Sequence, residues 1–195
     1  PGEVAGIEQA EIVDIGKPRE ARIDIPAFRM KAGRAHLVPL APIARDLVLA
    51  ALKRREDEGD EQALLASRYY NRASLARHSL SHALRRIIPA IKADHAADAK
   101  AVASLQAVPP TPHDLRRSTA TAMARLGVPP EDRRAVLAHV ADDIHGRHYD
   151  QYDRLAEKRR ALEIWEKHLT TVLDRGEPAE TPANVVPMPK RGAGR

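Results

Sequence analysis

The chain contains no cysteine, so disulfides, thiolate zinc sites and thiol nucleophiles are excluded. That absence fits a reducing cytoplasm, which is the expected location. Aromatic residues are only 3% of the sequence, so a core must be aliphatic, built from Leu, Ile, Val and Ala. No apolar run reaches the ~18 residues a membrane-spanning helix needs, and the N-terminal region lacks a signal-peptide pattern. No membrane association is expected. A Gly-rich phosphate loop is missing, which argues against a nucleoside triphosphatase. An H-E-x-x-H pattern is missing too. The chain starts at Pro1 without Met and reads as a fragment or internal domain.

What is present is ordinary for a globular domain: 195 residues, 43% hydrophobic and 30% charged. The formal charge is +5 and the pI about 9.7. A polyanion partner is permitted, although acidic and basic residues are mixed along most of the chain and general solubility is an equal explanation.

Residues 9–40 alternate as a small sheet. Gln9–Ile15 and Ala21–Ile25 read as strands split by the turn-like Gly16-Lys17-Pro18-Arg19. Lys31-Ala32-Gly33-Arg34 reads as a hairpin tip before a third strand, Ala35–Leu40. Pro42 opens a helix to about Arg55, with Ile43, Leu47 and Ala51 on one face. Another helix covers Ser79–Ile91 and is kinked or ended by Pro89. Asp94–Val108 is Ala-rich and reads as loop with some helix. Thr111 is an N-cap, Pro112 a first helical residue and Asp114 a capping-box partner. Leu115, Ala122, Met123 and Leu126 make that helix's apolar stripe, and Gly127 stops it. Glu131–Val140 follows as a short helix. Arg154–Leu173 is the most helical stretch, with an edge of Leu155, Leu162, Trp165, Leu169 and Val172. The organisation expected is one domain, 1–173, and a disordered tail, 174–195.

The segment Thr111–Tyr152 carries the chemistry. His113 and Arg116 lie three apart at a helix start, on one face, where free N–H groups and the helix dipole favour an anion. Arg grips phosphate oxygens with a planar fork that Lys lacks. A solvated surface pair is the competing explanation. His139 sits on an otherwise apolar turn, where a boundary histidine is the alternative. Tyr149 lies ten residues later. Its phenol, with a reference pKa near ~10, needs cationic neighbours to act as a nucleophile. Tyr152 competes with it for that role. Lys31, on its hairpin tip, could protonate a leaving oxygen, or could be merely an exposed lysine. His78 with His82, and His145 with His148, have chelating spacings, but neither pair has a third ligand with convincing spacing. No metal and no cofactor are expected.

Taken together, R-M-K-A-G-R-A-H-L-V-P-L, P-H-D-L-R-R, V-L-A-H-V and H-Y-D-Q-Y-D-R-L resemble the catalytic domain of tyrosine recombinases, the phage-type integrases. The resemblance covers about Pro1–Leu173. It implies a mostly α fold with a small three-stranded antiparallel sheet (α+β). Catalytic roles then fall on Tyr149, Arg116, His113, His139 and Lys31. The family's first box, Arg-x-x-Glu, is represented by Glu3, and its arginine would directly precede Pro1. The gap from His139 to Tyr149 is slightly longer than the family's usual spacing. The implied activity is site-specific cleavage and rejoining of double-stranded DNA through a 3′-phosphotyrosyl link, without ATP or metal. Self-association on DNA through the C-terminal helix is implied as well. The alternative is a DNA-binding module or inactive integrase fragment without strand transfer.

Overall fold

The computed structural model describes residues 1–57, 63–66, 74–139 and 153–175. Its architecture is mostly helical, with one small sheet. A single turn, α1 (Gly2–Ala5), leads to a 3-10 turn at Gln9–Glu11 and then β1 (Ile12–Val13), β2 (Arg22–Ile25) and β3 (His36–Pro39). The three strands form an antiparallel meander in the order β1-β2-β3. Ile12 stands opposite Ile23, Ile23 opposite Val38, and Ile25 opposite His36. One face therefore gathers Ile23, Ile25, Val38 and His36.

The first strand is shorter than the alternation predicts. Glu8 and Glu11 form a reciprocal capping box that winds Gln9–Glu11 into a 3-10 turn. Glu11 is then buried and paired with Arg29 from the far side of the β2–β3 connection. Arg29 also donates to the Glu3 carbonyl at 2.9 Å, which ties α1 to the hairpin. The hairpin tip lies where expected. Gly33, at φ +65°, donates its N–H to the Met30 carbonyl and closes the turn that carries Lys31.

Helix α2 (Pro42–Asp57) starts at its proline as predicted, but presents a different face. Ala44, Val48, Ala51 and Leu52 pack inward, whereas Ile43 is exposed and Leu47 is 67% exposed. The inward stripe is Ala41, Arg45, Val48, Leu52 and Arg55. Arg45 Nε donates to the Ile15 carbonyl at 2.8 Å, and Arg55 is buried. Arginine stems supply apolar surface while their heads find partners, so a stripe counted in apolar letters alone lands one residue off.

Helix α3 (Ser79–Ile87) passes into a 3-10 turn at Ile88–Ala90, where Pro89 prevents a regular continuation. Helix α4 (Ala99–Ala107) is more regular than the loop expected over Asp94–Val108. Its alanines favour helix, and Gln106 anchors it by donating to the Ile91 carbonyl at 2.9 Å.

Helix α5 (Pro112–Arg125) has the full capping box between Thr111 and Asp114, and ends at Gly127 with φ +79°. Met123 is completely buried, but Leu115, expected in the same stripe, is half exposed. Helix α6 (Pro130–Val136) stops four residues before the predicted Val140. Helix α7 (Leu155–Arg175) is the longest element.

Among the described residues the apolar interior has two parts. Ile7, Ala21, Ile23, Ile25, Leu40, Val48 and Leu64 fill the space under the sheet and α2. Met123, Val128 and Ala161, with Val136, Leu162 and Trp165 around them, join α5, α6 and α7. Helix α7 links the two parts with polar side chains. Lys158 donates to the Leu37 carbonyl at 3.1 Å, and Arg159 to the Ala21 carbonyl at 3.0 Å. Glu166 accepts the Ile43 N–H, so α7 supplies the cap at the start of α2. Among the described residues no helix is long and apolar enough to cross a membrane.

Candidate active site

Arg116 organises the site. It projects from the second turn of α5 and its Nη2 donates to the Leu137 carbonyl at the end of α6. That bond bridges 21 residues and brings P-H-D-L-R-R beside the turn that presents His139. One of the guanidinium's five N–H donors is engaged this way. Arg117, the next residue, is exposed.

The turn itself is a Schellman motif. The His139 N–H donates back to the Arg134 carbonyl at 2.9 Å, and the Ala138 N–H to the Ala135 carbonyl at 3.2 Å. Such a motif needs a left-handed residue, and here it is Ala138, at φ +51°. Alanine suffers a steric penalty there that glycine would not. The turn is therefore held by its surroundings as well as by its own preference. His139 emerges from it exposed.

His113 lies exposed in the first turn of α5, one turn before Arg116. The α5 start is rigidified by Asp114, which accepts from the Thr111 backbone at 3.0 Å and hydroxyl at 2.7 Å. Those two bonds hold its carboxyl below the ordinary aspartate range. Lys31 is exposed on the hairpin tip. The third strand of the sheet carries the buried His36, close enough to Lys158, Glu3 and Arg116 to feel their charges. Tyr149 and Tyr152 lie outside the described residues. Arg154, just before α7 and at φ +50°, pairs with Asp132 in the first turn of α6 at 2.6 Å.

Four of these contributors were not singled out by the sequence pattern. His36 and Lys158 are both buried, and burial lowers the pKa of each. For His36 the neighbouring Lys158 and Arg116 charges act in the same direction, against Glu3 and the Val136 carbonyl. The alternation Ala35-His36-Leu37-Val38 did carry a signal, because it places His36 on the inward face with Val38. Asp132 and Arg154 carried none, since a charge pair 22 residues apart is invisible before folding.

His78 and His82 meet edge to face, with ring centroids 5.6 Å apart. Among the described residues, no group of three or more His, Asp or Glu could hold a metal ion.

The Phage integrase family model matches residues 2–155, which spans every element from α1 to the start of α7. The chain belongs to the Phage integrase family. It is also similar to the prophage integrase IntA of Escherichia coli (strain K12), at 31% identity over 142 residues. That alignment covers 72% of this chain and 29% of the relative, so the chain spans less than a third of that integrase. No solved structure matches the chain. In this integrase-family domain the matched region contains all five residues singled out from the sequence, Lys31, His113, Arg116, His139 and Tyr149.

Proposed function

We propose that this domain performs the chemistry of a site-specific DNA recombinase, cutting and rejoining double-stranded DNA through a covalent phosphotyrosyl intermediate. The observation that carries the reading is the Arg116–Leu137 bond. It sets an arginine fork beside the turn of His139, with His113 one helical turn away. Lys158 and Arg116 bring positive charge to the surroundings, which favours a phosphodiester.

In this reading the Tyr149 phenolate attacks the scissile phosphorus. A bond forms between its oxygen and phosphorus, and the bond to the 5′-oxygen of the next nucleotide breaks. The product is a 3′-phosphotyrosyl link and a 5′-hydroxyl, the leaving oxygen taking a proton from Lys31. Arg116 stabilises the charge developing on the nonbridging oxygens, and His113 and His139 assist by hydrogen bonding or proton transfer. Attack by another 5′-hydroxyl reverses the step and restores a phosphodiester. Bond energy is conserved in the covalent link, so no nucleotide cofactor is called for. Residues 1–173 form the catalytic domain in this proposal, and α7 contributes to self-association on DNA.

The test is a suicide DNA substrate, nicked so that the cleaved strand is lost, offered to the natural polypeptide carrying these residues. Tyr149→Phe should abolish the covalent adduct while DNA affinity stays within a few-fold. An adduct that survives in Tyr149→Phe but disappears in Tyr152→Phe would move the nucleophile to Tyr152. A protein that binds DNA and forms no adduct in any version would favour the binding-module alternative.

A further inference from the structure

The chain has a single phenylalanine, and it does not enter the core. Phe28 is 88% exposed at the centre of the 3-10 turn Ala27–Arg29, on the way from β2 to the hairpin tip. A lone exposed apolar residue is ordinary. Phe28 differs in how firmly it is held and in what surrounds it.

The chain is fixed on both sides of it. Ile25 is buried in the sheet before it, and Met30 packs against the core after it. The Arg29 N–H donates to the Pro26 carbonyl at 3.0 Å and the Met30 N–H to the Ala27 carbonyl at 3.1 Å. The Arg29 guanidinium is tied to Glu11 and to the Glu3 carbonyl. With residues 29 and 30 engaged inward, the turn presents the Phe28 ring to solvent. A ring held this way loses little freedom when it makes a contact.

The surroundings are basic. From Pro26 to Arg45 the sequence has no Asp or Glu, unlike the mixed charge along most of the chain. Lys31 and Arg34 stand on the exposed tip, and Lys31 is within about 11 Å of Phe28 along the chain. The exposed residues beside them, Ala32, Gly33 and Ala35, are too small to hold a partner away.

We propose that Phe28 is a DNA-contacting residue whose ring stacks on a nucleobase beside the point of cleavage. The proposal rests on the recombinase reading, in which Lys31 serves the leaving 5′-oxygen. Charge selects the occupant: an aromatic face among cations, with no nearby stretch of carboxylates, suits a polyanion whose bases offer π-faces. Exchange of the cleaved strand requires the first bases of its 5′ end to unpair. A ring three residues from the leaving-oxygen lysine is placed to receive one of them. Stacking accepts any base, so this contact adds affinity without reading sequence.

The test uses the natural polypeptide and a nicked duplex of arbitrary sequence, with a few unpaired bases at the 5′ side of the nick. One of those bases is 5-iodouracil. Irradiation should cross-link the wild-type protein at Phe28, as mapped by mass spectrometry, and the same label in the paired region should not react there. Phe28→Ala and Phe28→Leu should each bind this duplex about 10-fold more weakly, the scale of one base–aromatic stack, while Phe28→Trp binds like wild type. The salt dependence of binding should be the same in all four proteins, because the ring neutralises no phosphate. Full affinity in Phe28→Ala or Phe28→Leu overturns the proposal, as does a cross-link that maps outside residues 26–36. A lower melting temperature or a changed oligomeric state of Phe28→Ala without DNA would assign the ring to a protein contact, and overturns it equally. Neither binding nor cross-linking needs a covalent phosphotyrosine. A protein that stacks on this duplex but forms no adduct on the suicide substrate would sink the recombinase reading and leave the contact between Phe28 and a base standing.

Discussion

Arg116 reaches the Leu137 carbonyl through Nη2, and in the proposed reading the other nitrogens of its fork grip a phosphate. A lysine in its place has one ammonium centre and cannot serve both partners with the same geometry. Arg116→Lys should therefore slow adduct formation by about 10²-fold or more, the usual effect of losing one preorganised charge-stabilising donor. Arg117→Lys, at the neighbouring exposed position, is the control and should stay close to wild type. Near-normal cleavage by Arg116→Lys, with the fold intact by circular dichroism, would return Arg116 to a surface role. A second residue-scale prediction concerns Ala138. Its left-handed backbone costs about 1–2 kcal/mol, whereas glycine's extra chain entropy costs roughly 0.5–1 kcal/mol. Steric strain outweighs chain entropy here, so Ala138→Gly should raise stability by about 0.5–1 kcal/mol in denaturant unfolding. A loss of stability would mean that the alanine methyl makes packing contacts worth more than the strain.

Among the elements, α7 contributes most to joining the parts. Its Ala161 is buried against Met123 and Val128, with Leu162 and Trp165 alongside. Lys158 and Arg159 occupy sheet carbonyls, and Glu166 caps α2. The stripe read from the sequence included Leu162 and Trp165, but not these polar anchors. They were hidden because a buried lysine and a carbonyl-bound arginine look like solvent-facing charges until their partners are in place. Most of the stability of a protein helix comes from tertiary packing of its apolar face, so these contacts hold α7 in place. A chain ending at residue 153 should consequently lose cooperative thermal unfolding. A chain ending at residue 175 keeps every α7 contact described and should melt within a few degrees of the 195-residue form. Equal damage by both truncations would assign residues 176–195 a role in stability.

Across the whole molecule, the buried His36 makes stability depend on pH. Its pKa is lowered in the folded state, first by burial and then by Lys158, with Arg116 adding to the effect. The folded protein thus binds a proton less readily than the unfolded chain. Above the ordinary histidine value near ~6.5 both states are neutral there, and the full stability is present. As pH falls below that value the unfolded state takes up the proton first, and stability drops until the folded ring also titrates. His36→Gln, which cannot take up that proton, should flatten the loss of melting temperature between pH 7 and about pH 5. An unchanged slope would show that other groups dominate the acid response.

The sequence by itself determined the local features whose causes lie within a few residues: the Thr111–Asp114 capping box, the Gly127 stop, the hairpin around Gly33 and the start of α2 at Pro42. It also held the order of motifs that marks the integrase family, since that order is written in the chain directly. Tertiary structure decided the rest. The inward face of α2 depended on Arg45 finding the Ile15 carbonyl, and the end of α6 on Arg116 meeting the Leu137 carbonyl. Those partners are far away in sequence, and no local preference encodes them. A hydrogen bond or buried charge acquires its energy only when folding removes water from both members at once.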